Sequence, residues 1–197
     1  MSQVNKKTAQ MTQLTLLIAI LVVLTFTPLG FIQIPPVAIT ILHIPVIIGA
    51  IAMGPVCGGI LGLAFGVLSM LKATFMGVSP VDLMFSPFAS GAPIQSLIMC
   101  ILPRVLLGVI AGVLYEALKG RLSNDALSIG VSAGVATLCH TILVMGCLWF
   151  FFSAIPLKEV FLTIVGVNGL LELGVGIVIT IAVCKPLMKY LKTRIAV

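Results

Sequence analysis

The sequence predicts an all-α integral membrane protein with six transmembrane helices and both termini in the cytoplasm. Of the 197 residues, 60% are hydrophobic and only 8% are charged, and the mean hydropathy is +1.30. Such a composition is typical of membrane proteins. Runs of roughly 17 to 25 apolar residues, the length that crosses about 30 Å of hydrocarbon, also recur to the C-terminus. We expect residues 1–197 to form a single membrane domain without a soluble catalytic unit.

Six apolar runs give the helices in chain order. We expect spans at approximately 13–33, 37–53, 56–75, 96–118, 126–152 and 160–187. The second span is short and contains Pro45, which would free the carbonyl of Ile41 if it lay inside a helix. We therefore expect a kinked segment, in which His43 either bonds that carbonyl, packs against a neighbouring helix or borders a cavity.

Small residues four positions apart occur on two of the spans. Thr15 and Ala19 form such a pair on the first span, and Gly58, Gly62 and Gly66 repeat the spacing on the third. Rows of this kind let two helices approach closely. For the glycine row we favour packing within the chain, whereas the pair on the first span suits contacts within the chain and between chains equally.

The basic residues predict the orientation in the membrane. Six spans place both termini on one side, and eight of the eleven basic residues lie at the termini or in the loop after span four. These eight are Lys6, Lys7, Lys119, Arg121, Lys185, Lys189, Lys192 and Arg194. By the positive-inside rule this side is the cytoplasm. The net charge of +6 therefore reflects topology and indicates no nucleic-acid partner.

The loop after span three, "MGVSPVDLMFSPFASGAPIQ", is about twenty residues long, which is uncommon for a loop without a function. On the predicted topology it lies on the outer side of the membrane. Three prolines stiffen it, and Phe85 and Phe88 are placed to turn inward as a lid.

Ionisable side chains inside spans are costly and often mark a site. On the predicted topology Arg104, Glu172, Lys72 and His43 fall toward the outer half of the membrane, with Asn168 one helical turn before Glu172. We predict that these five form a substrate-binding site. Each also has a structural interpretation: Glu172 as the ion-pair partner of Arg104 or Lys72, Lys72 reaching to the interface, and His43 as a packing residue.

His140 lies in the middle of span five, where we favour helix packing. Trp149 stands near the end of the same span, in a position typical of the aromatic belt at the membrane interface, although it is also placed to wall a pocket.

The sequence contains no Walker A motif, no H-E-x-x-H motif and no acidic cluster able to hold a metal. We therefore expect no enzyme activity, no metal and no cofactor in this chain, so any ATP hydrolysis belongs to another subunit. An intramembrane serine protease would need Ser90 and His140 as a pair, but Ser90 lacks the usual sequence context. A stand-alone secondary transporter would show two related halves, and no clear repeat is present.

Several stretches resemble the substrate-binding S components of energy-coupling factor (ECF) transporters, which are small bacterial membrane proteins. They are "FTPLGFIQIP", "TILHIPVIIGAIAMGPVCGGILGLAFGVLSML", the proline-rich third loop and "ILPRVLLGVIAGVLYEALKG", and together they cover about half of the chain. Among members of this family, the sequence is most similar to the pantothenate type.

The resemblance implies a multi-pass protein of the bacterial plasma membrane that binds a vitamin at its outer face. It also implies a transmembrane coupling subunit and two cytoplasmic ATPase subunits as partners, with ATP and Mg on the ATPases. The family's A-x-x-x-A motif, which contacts the coupling subunit, corresponds here to Thr15 and Ala19, with threonine in the first position.

Pantothenate is an anion with an amide and two hydroxyls, so Arg104 or Lys72 would neutralise it while Asn168 and Glu172 bond its polar groups. A different vitamin remains the alternative.

Overall fold

A computed structural model of the protein describes residues 6–34, 37–77, 80–122, 124–152 and 169–195. Its helices are α1 (Lys6–Phe26), α2 (His43–Met53), α3 (Pro55–Met76), α4 (Pro80–Met84), α5 (Pro93–Leu118), α6 (Asp125–Phe151) and α7 (Gly169–Ile195). Between α1 and α2 lie a short 3-10 turn (Pro28–Gly30) and two strands, β1 (Phe31–Ile34) and β2 (Val37–Thr40). Within the described residues, α1, α3, α5, α6 and α7 are long and apolar enough to cross a membrane.

Helices α3, α5 and α6 begin and end within three residues of the third, fourth and fifth predicted spans. Local signals explain where these helices begin. Pro55 and Pro93 occupy the first turn of α3 and α5, where a missing backbone N–H costs nothing. Asn124 caps α6, because its side chain accepts a hydrogen bond from the Ala126 backbone amide. The sixth predicted span begins at 160, outside the described residues, and its described part is helical as α7.

The boundaries of the first two predicted spans are wrong. Helix α1 ends at Phe26 rather than at 33, and the second helix begins at His43 rather than at 37. The chain between them forms an antiparallel hairpin in which Phe31 pairs with Thr40 and Ile34 with Val37. Its strands are rich in isoleucine, valine and threonine, which favour extended backbone. The membrane-crossing elements that are described are all helical, and this hairpin is an addition to the predicted all-α class.

The prediction of a kink at Pro45 is also wrong, because the helix starts later than expected. Pro45 lies in the first turn of α2, where it breaks no helical hydrogen bond. The Ile41 carbonyl is not freed for His43, since it accepts a hydrogen bond from the Ile44 amide at 3.1 Å. Helix α2 has 11 residues, which gives it a length of about 16 Å. It is therefore too short to span a membrane alone.

Helix α2 ends at the same side of the molecule as the basic residues near the N-terminus. The Gln10 side chain of α1 donates to the Met53 carbonyl at 3.3 Å, and Gly54 turns the chain into α3 with a φ of 94°. Lys7 and Glu116 lie beside this turn. The six predicted spans thus correspond to five long helices and one short helix, which begins part of the way through the bundle.

Helices α3 and α5 pack backbone against backbone through glycines. A Cβ atom on Gly58 would lie 2.5 Å from the Gly108 carbonyl oxygen, and one on Gly66 would lie 2.7 Å from the Cys100 carbonyl oxygen. Between them, a Cβ on Gly62 would lie 2.7 Å from the Arg104 carbonyl carbon. The preferred interpretation of this row, packing within the chain, is confirmed. The contact also fixes the position of Arg104 relative to α3.

We predict that Gly62→Ala lowers the free energy of unfolding by about 1 to 3 kcal/mol, because the new methyl group forces the two backbones apart. Thermal unfolding of the purified protein in detergent is the measurement. Gly146→Ala in α6 is the matched control, since a Cβ there meets nothing within 4 Å. Equal melting temperatures for the two variants would contradict the close contact of α3 with α5.

Candidate functional site

A cavity of about 490 Å³ opens at the end of the bundle opposite the turn at Gly54. It lies within the range of about 300 to 1,000 Å³ typical of small-molecule sites. The ends of α1 and β2, one face of α3, and the segment from α4 to α5 surround it. Its polar and aromatic lining includes Thr25, Phe65, Ser69, Lys72, Asp82, Phe85 and Arg104.

Arg104 of α5 is the most constrained charged residue of the cavity. Its side chain is buried, with 7% of the residue exposed, and Nη1 donates a hydrogen bond to the Met99 carbonyl at 2.8 Å. The guanidinium carbon lies 5.3 Å from the ring centroid of Phe65 and 5.2 Å from that of Phe85, within the range of cation–π contacts. Its Nε is buried and finds no hydrogen-bond partner among the described residues. The described protein groups therefore do not use every donor of the guanidinium.

Phe85 is held in place by the attachment of its loop to α5. The Ser96 hydroxyl donates to the Met84 carbonyl at 2.6 Å and accepts from the Ser90 hydroxyl at 2.7 Å. The Cys100 thiol donates to the Phe85 carbonyl at 3.1 Å. These bonds fix the backbone on both sides of Phe85, whose ring turns inward as expected for one of the two loop phenylalanines. The other, Phe88, is 87% exposed and forms no part of the cavity wall.

Lys72 and Asp82 supply the other charges of the cavity lining. Lys72 comes from α3 and Asp82 from α4, and the carboxylate acts electrostatically on the lysine. With Arg104, the lining carries two cations and one carboxylate. This balance favours an anionic ligand that can also donate a hydrogen bond to the Asp82 carboxylate.

His43 and Glu172 contact each other and do not line this cavity. His43 Nδ1 lies 3.3 Å from Glu172 Oε1, which is ion-pair distance, although the angles are not those of a hydrogen bond. His43 is 1% exposed, and its Nε2 packs against Gly176 of α7. The structure thus brings Glu172 to His43, whereas the structural alternative considered from the sequence was an ion pair of Glu172 with Arg104 or Lys72. Asn168 lies outside the described residues.

The remaining polar candidates have structural surroundings. His140 lies on α6, and its ring centroid is 6.3 Å from that of Phe65 on α3. His140 is absent from the cavity lining. The Ser90 hydroxyl bonds Ser96 and accepts from the Ala92 amide at 3.1 Å, so the considered Ser90–His140 protease pair is not formed. Trp149 is 69% exposed, as an aromatic belt requires. No group of three or more potential metal ligands occurs within the described ranges.

Sequence reasoning missed two residues that shape the cavity. Phe65 lies seven residues before Lys72, which is two helical turns, so a search of the lysine's helix face would have found it. Asp82 lies in a loop helix of five residues, and no sequence pattern places it opposite Lys72.

Two comparisons with known proteins bear on the family. The sequence profile described as "ECF transporter, substrate-specific component" matches residues 9–184. The curated pantothenic acid transporter PanT of Lactococcus lactis subsp. cremoris (strain MG1363) is 31% identical over 196 residues, covering 94% of this chain and 96% of the relative. Both matches extend through the helices that surround the cavity.

We predict that Ser96→Ala loosens the loop at 80–92, because it removes two hydrogen bonds and leaves the Met84 carbonyl without its donor, at a cost of about 1 to 3 kcal/mol. Amide hydrogen exchange should accelerate in this loop while α6 is unaffected. The control is Ser132→Ala, another buried serine, whose hydroxyl bonds the Ser128 carbonyl of its own helix. Unchanged exchange at 80–92 would show that Ser96 does not hold the loop.

Proposed function

This chain belongs to the family of substrate-specific (S) components of ECF transporters, and we propose that it captures pantothenate at the outer face of the membrane for ATP-driven uptake. Membership of this family makes it a multi-pass protein of the bacterial plasma membrane and a transport component rather than an enzyme. The choice of pantothenate draws on the similarity to PanT and on the chemistry of the cavity.

The observation that carries the choice of ligand is the Arg104 guanidinium in the cavity lining, which has no carboxylate within ion-pair distance among the described residues. A guanidinium out of water binds a carboxylate through short, charge-assisted hydrogen bonds. Pantothenate offers a carboxylate at one end, an amide in the middle and two hydroxyls at the other. In our proposal Arg104 binds the carboxylate, and Phe65 and Phe85 shield that contact from water.

The other charges of the cavity suit the polar remainder of the molecule. Lys72 supplies a second cation, and Asp82 is an acceptor for the hydroxyl groups. Thiamine, a cation, would require more carboxylate than this lining provides. Riboflavin would require aromatic walls on both faces of its ring system, whereas Phe65 and Phe85 already contact the guanidinium of Arg104.

The residues His43, Glu172 and Asn168 have weaker support as ligand contacts. The pair formed by His43 and Glu172 joins α2 to α7, and neither residue lines the cavity, so we assign the pair a structural role. Asn168 precedes α7 and stays a predicted ligand residue on sequence grounds alone.

Transport by this proposal requires partner subunits. We propose a transmembrane coupling subunit and two cytoplasmic ATPases, which would bind ATP and Mg, because this chain contains no nucleotide-binding motif. Thr15 and Ala19 are both exposed on α1, where a small-residue face is open to another helix. The Thr15 hydroxyl bonds the Met11 carbonyl of its own helix at 2.9 Å, so its polar group is satisfied before any partner binds.

We predict that the purified protein binds labelled pantothenate saturably and that Arg104→Ala weakens this binding by about 1.5 to 3 kcal/mol, the value of a hydrogen bond to a charged group. That loss corresponds to roughly 10- to 150-fold in Kd. Arg121→Ala, which removes an arginine outside the cavity, is the control and should bind as the wild type does. Unchanged affinity in a folded Arg104→Ala protein would remove Arg104 from the site, and saturable binding of another vitamin alone would overturn the choice of ligand.

We also predict that Ala19→Leu reduces co-purification with the coupling subunit, because a larger side chain prevents close approach of the helices. Pantothenate binding to the isolated chain should be unchanged, since Ala19 does not line the cavity. The matched control is Ala182→Leu on α7, which is likewise exposed. If both variants assemble as the wild type does, the α1 face is not the interface.

A further inference from the structure

The residue before Arg104 is a proline inside a membrane-length helix. Pro103 lies near the middle of α5 and has no backbone N–H. In a regular helix the amide of residue 103 would donate to the carbonyl of residue 99, so Pro103 leaves the Met99 carbonyl without its helical donor. In the interior of a membrane protein, such a carbonyl needs a replacement partner.

The replacement partner is the side chain of the next residue. Nη1 of Arg104 donates to this same Met99 carbonyl at 2.8 Å. The side chain consequently runs back along α5 toward its N-terminal end, the end at which the cavity opens. The guanidinium carbon also lies over the two phenyl rings, so the carbonyl and the rings together restrict the position of the guanidinium.

From this geometry we infer that Pro103 is a positioning residue for ligand binding, which acts by freeing the Met99 carbonyl as the anchor of the Arg104 guanidinium. With Nη1 anchored, the direction of the guanidinium in the cavity lining is fixed. An amide at position 103 would compete for the same carbonyl and release the guanidinium from that direction. The role of Pro103 toward pantothenate rests on the proposed function, whereas its action on Arg104 does not.

A double-mutant cycle on thermal stability tests the action on Arg104 without any ligand. The variants are Pro103→Ala, Arg104→Met and the double mutant, with methionine chosen to keep an unbranched side chain between the two rings. In Arg104→Met the Met99 carbonyl has lost its donor, so a new amide at 103 should raise the melting temperature more than it does in the wild type. Pro186→Ala, which changes the proline inside α7, is the control partner and should be additive with Arg104→Met.

Binding of labelled pantothenate to the same proteins tests the consequence for the ligand. We expect Pro103→Ala to weaken binding about tenfold, the effect of one misdirected charge-assisted hydrogen bond, with no drop in melting temperature. In the Arg104→Met background, Pro103→Ala should have no further effect on affinity. Pro186→Ala should bind as the wild type does.

If the shifts in melting temperature caused by Pro103→Ala and Arg104→Met add in the double mutant, the inference is overturned. Additivity would mean that the two residues do not act through the same Met99 carbonyl. Wild-type affinity in Pro103→Ala would overturn it as well, since the guanidinium would need no anchor to bind the ligand. If the wild type itself binds no pantothenate, the proposed function fails, and the stability cycle alone then decides whether Pro103 positions Arg104.

Discussion

The structure of the cavity depends on how one buried guanidinium is held. A charge taken out of water is costly unless fixed groups replace its hydration. For Arg104 the replacements are a backbone carbonyl of its own helix and the faces of two phenyl rings, one from α3 and one from the loop after α4. None of these three groups is a carboxylate, so they do not neutralise the positive charge. In our proposal a carboxylate of the ligand does so.

The three elements that hold Arg104 are themselves fixed by short-range contacts. Gly62 allows the α5 backbone to touch α3 at Arg104 itself, which sets the guanidinium beside Phe65. Ser96 and Cys100, both on α5, bond the carbonyls of Met84 and Phe85 and so bring the second ring over the same group. Helix α5 therefore carries the charged residue and also the side chains that attach the loop above it. Rigidity of this kind lowers the entropy that the side chains and loop of the site would lose on binding a ligand.

Much of the fold followed from apolar length, and the failures have local causes. Helices α3, α5 and α6 were predicted closely because each is a continuous apolar run bounded by proline, glycine or a capping residue. The hairpin was missed because its residues are as apolar as those of a helix, and only their β-branched character separates the two. Arg104 and Lys72 were found as charges in apolar segments. Asp82 and the pairing of Glu172 with His43 depend on tertiary contacts, which no spacing in the sequence encodes.

The central claim is that Arg104 recognises a carboxylate. The most direct measurement compares pantothenate with pantothenol, in which a primary alcohol replaces the carboxylate, as competitors for labelled pantothenate on the purified protein. We expect the wild type to prefer pantothenate by about tenfold or more, the effect of one charge-assisted contact, and Arg104→Ala to lose this preference. Equal binding of the two compounds by the wild type, or a preference that survives in Arg104→Ala, would contradict the claim.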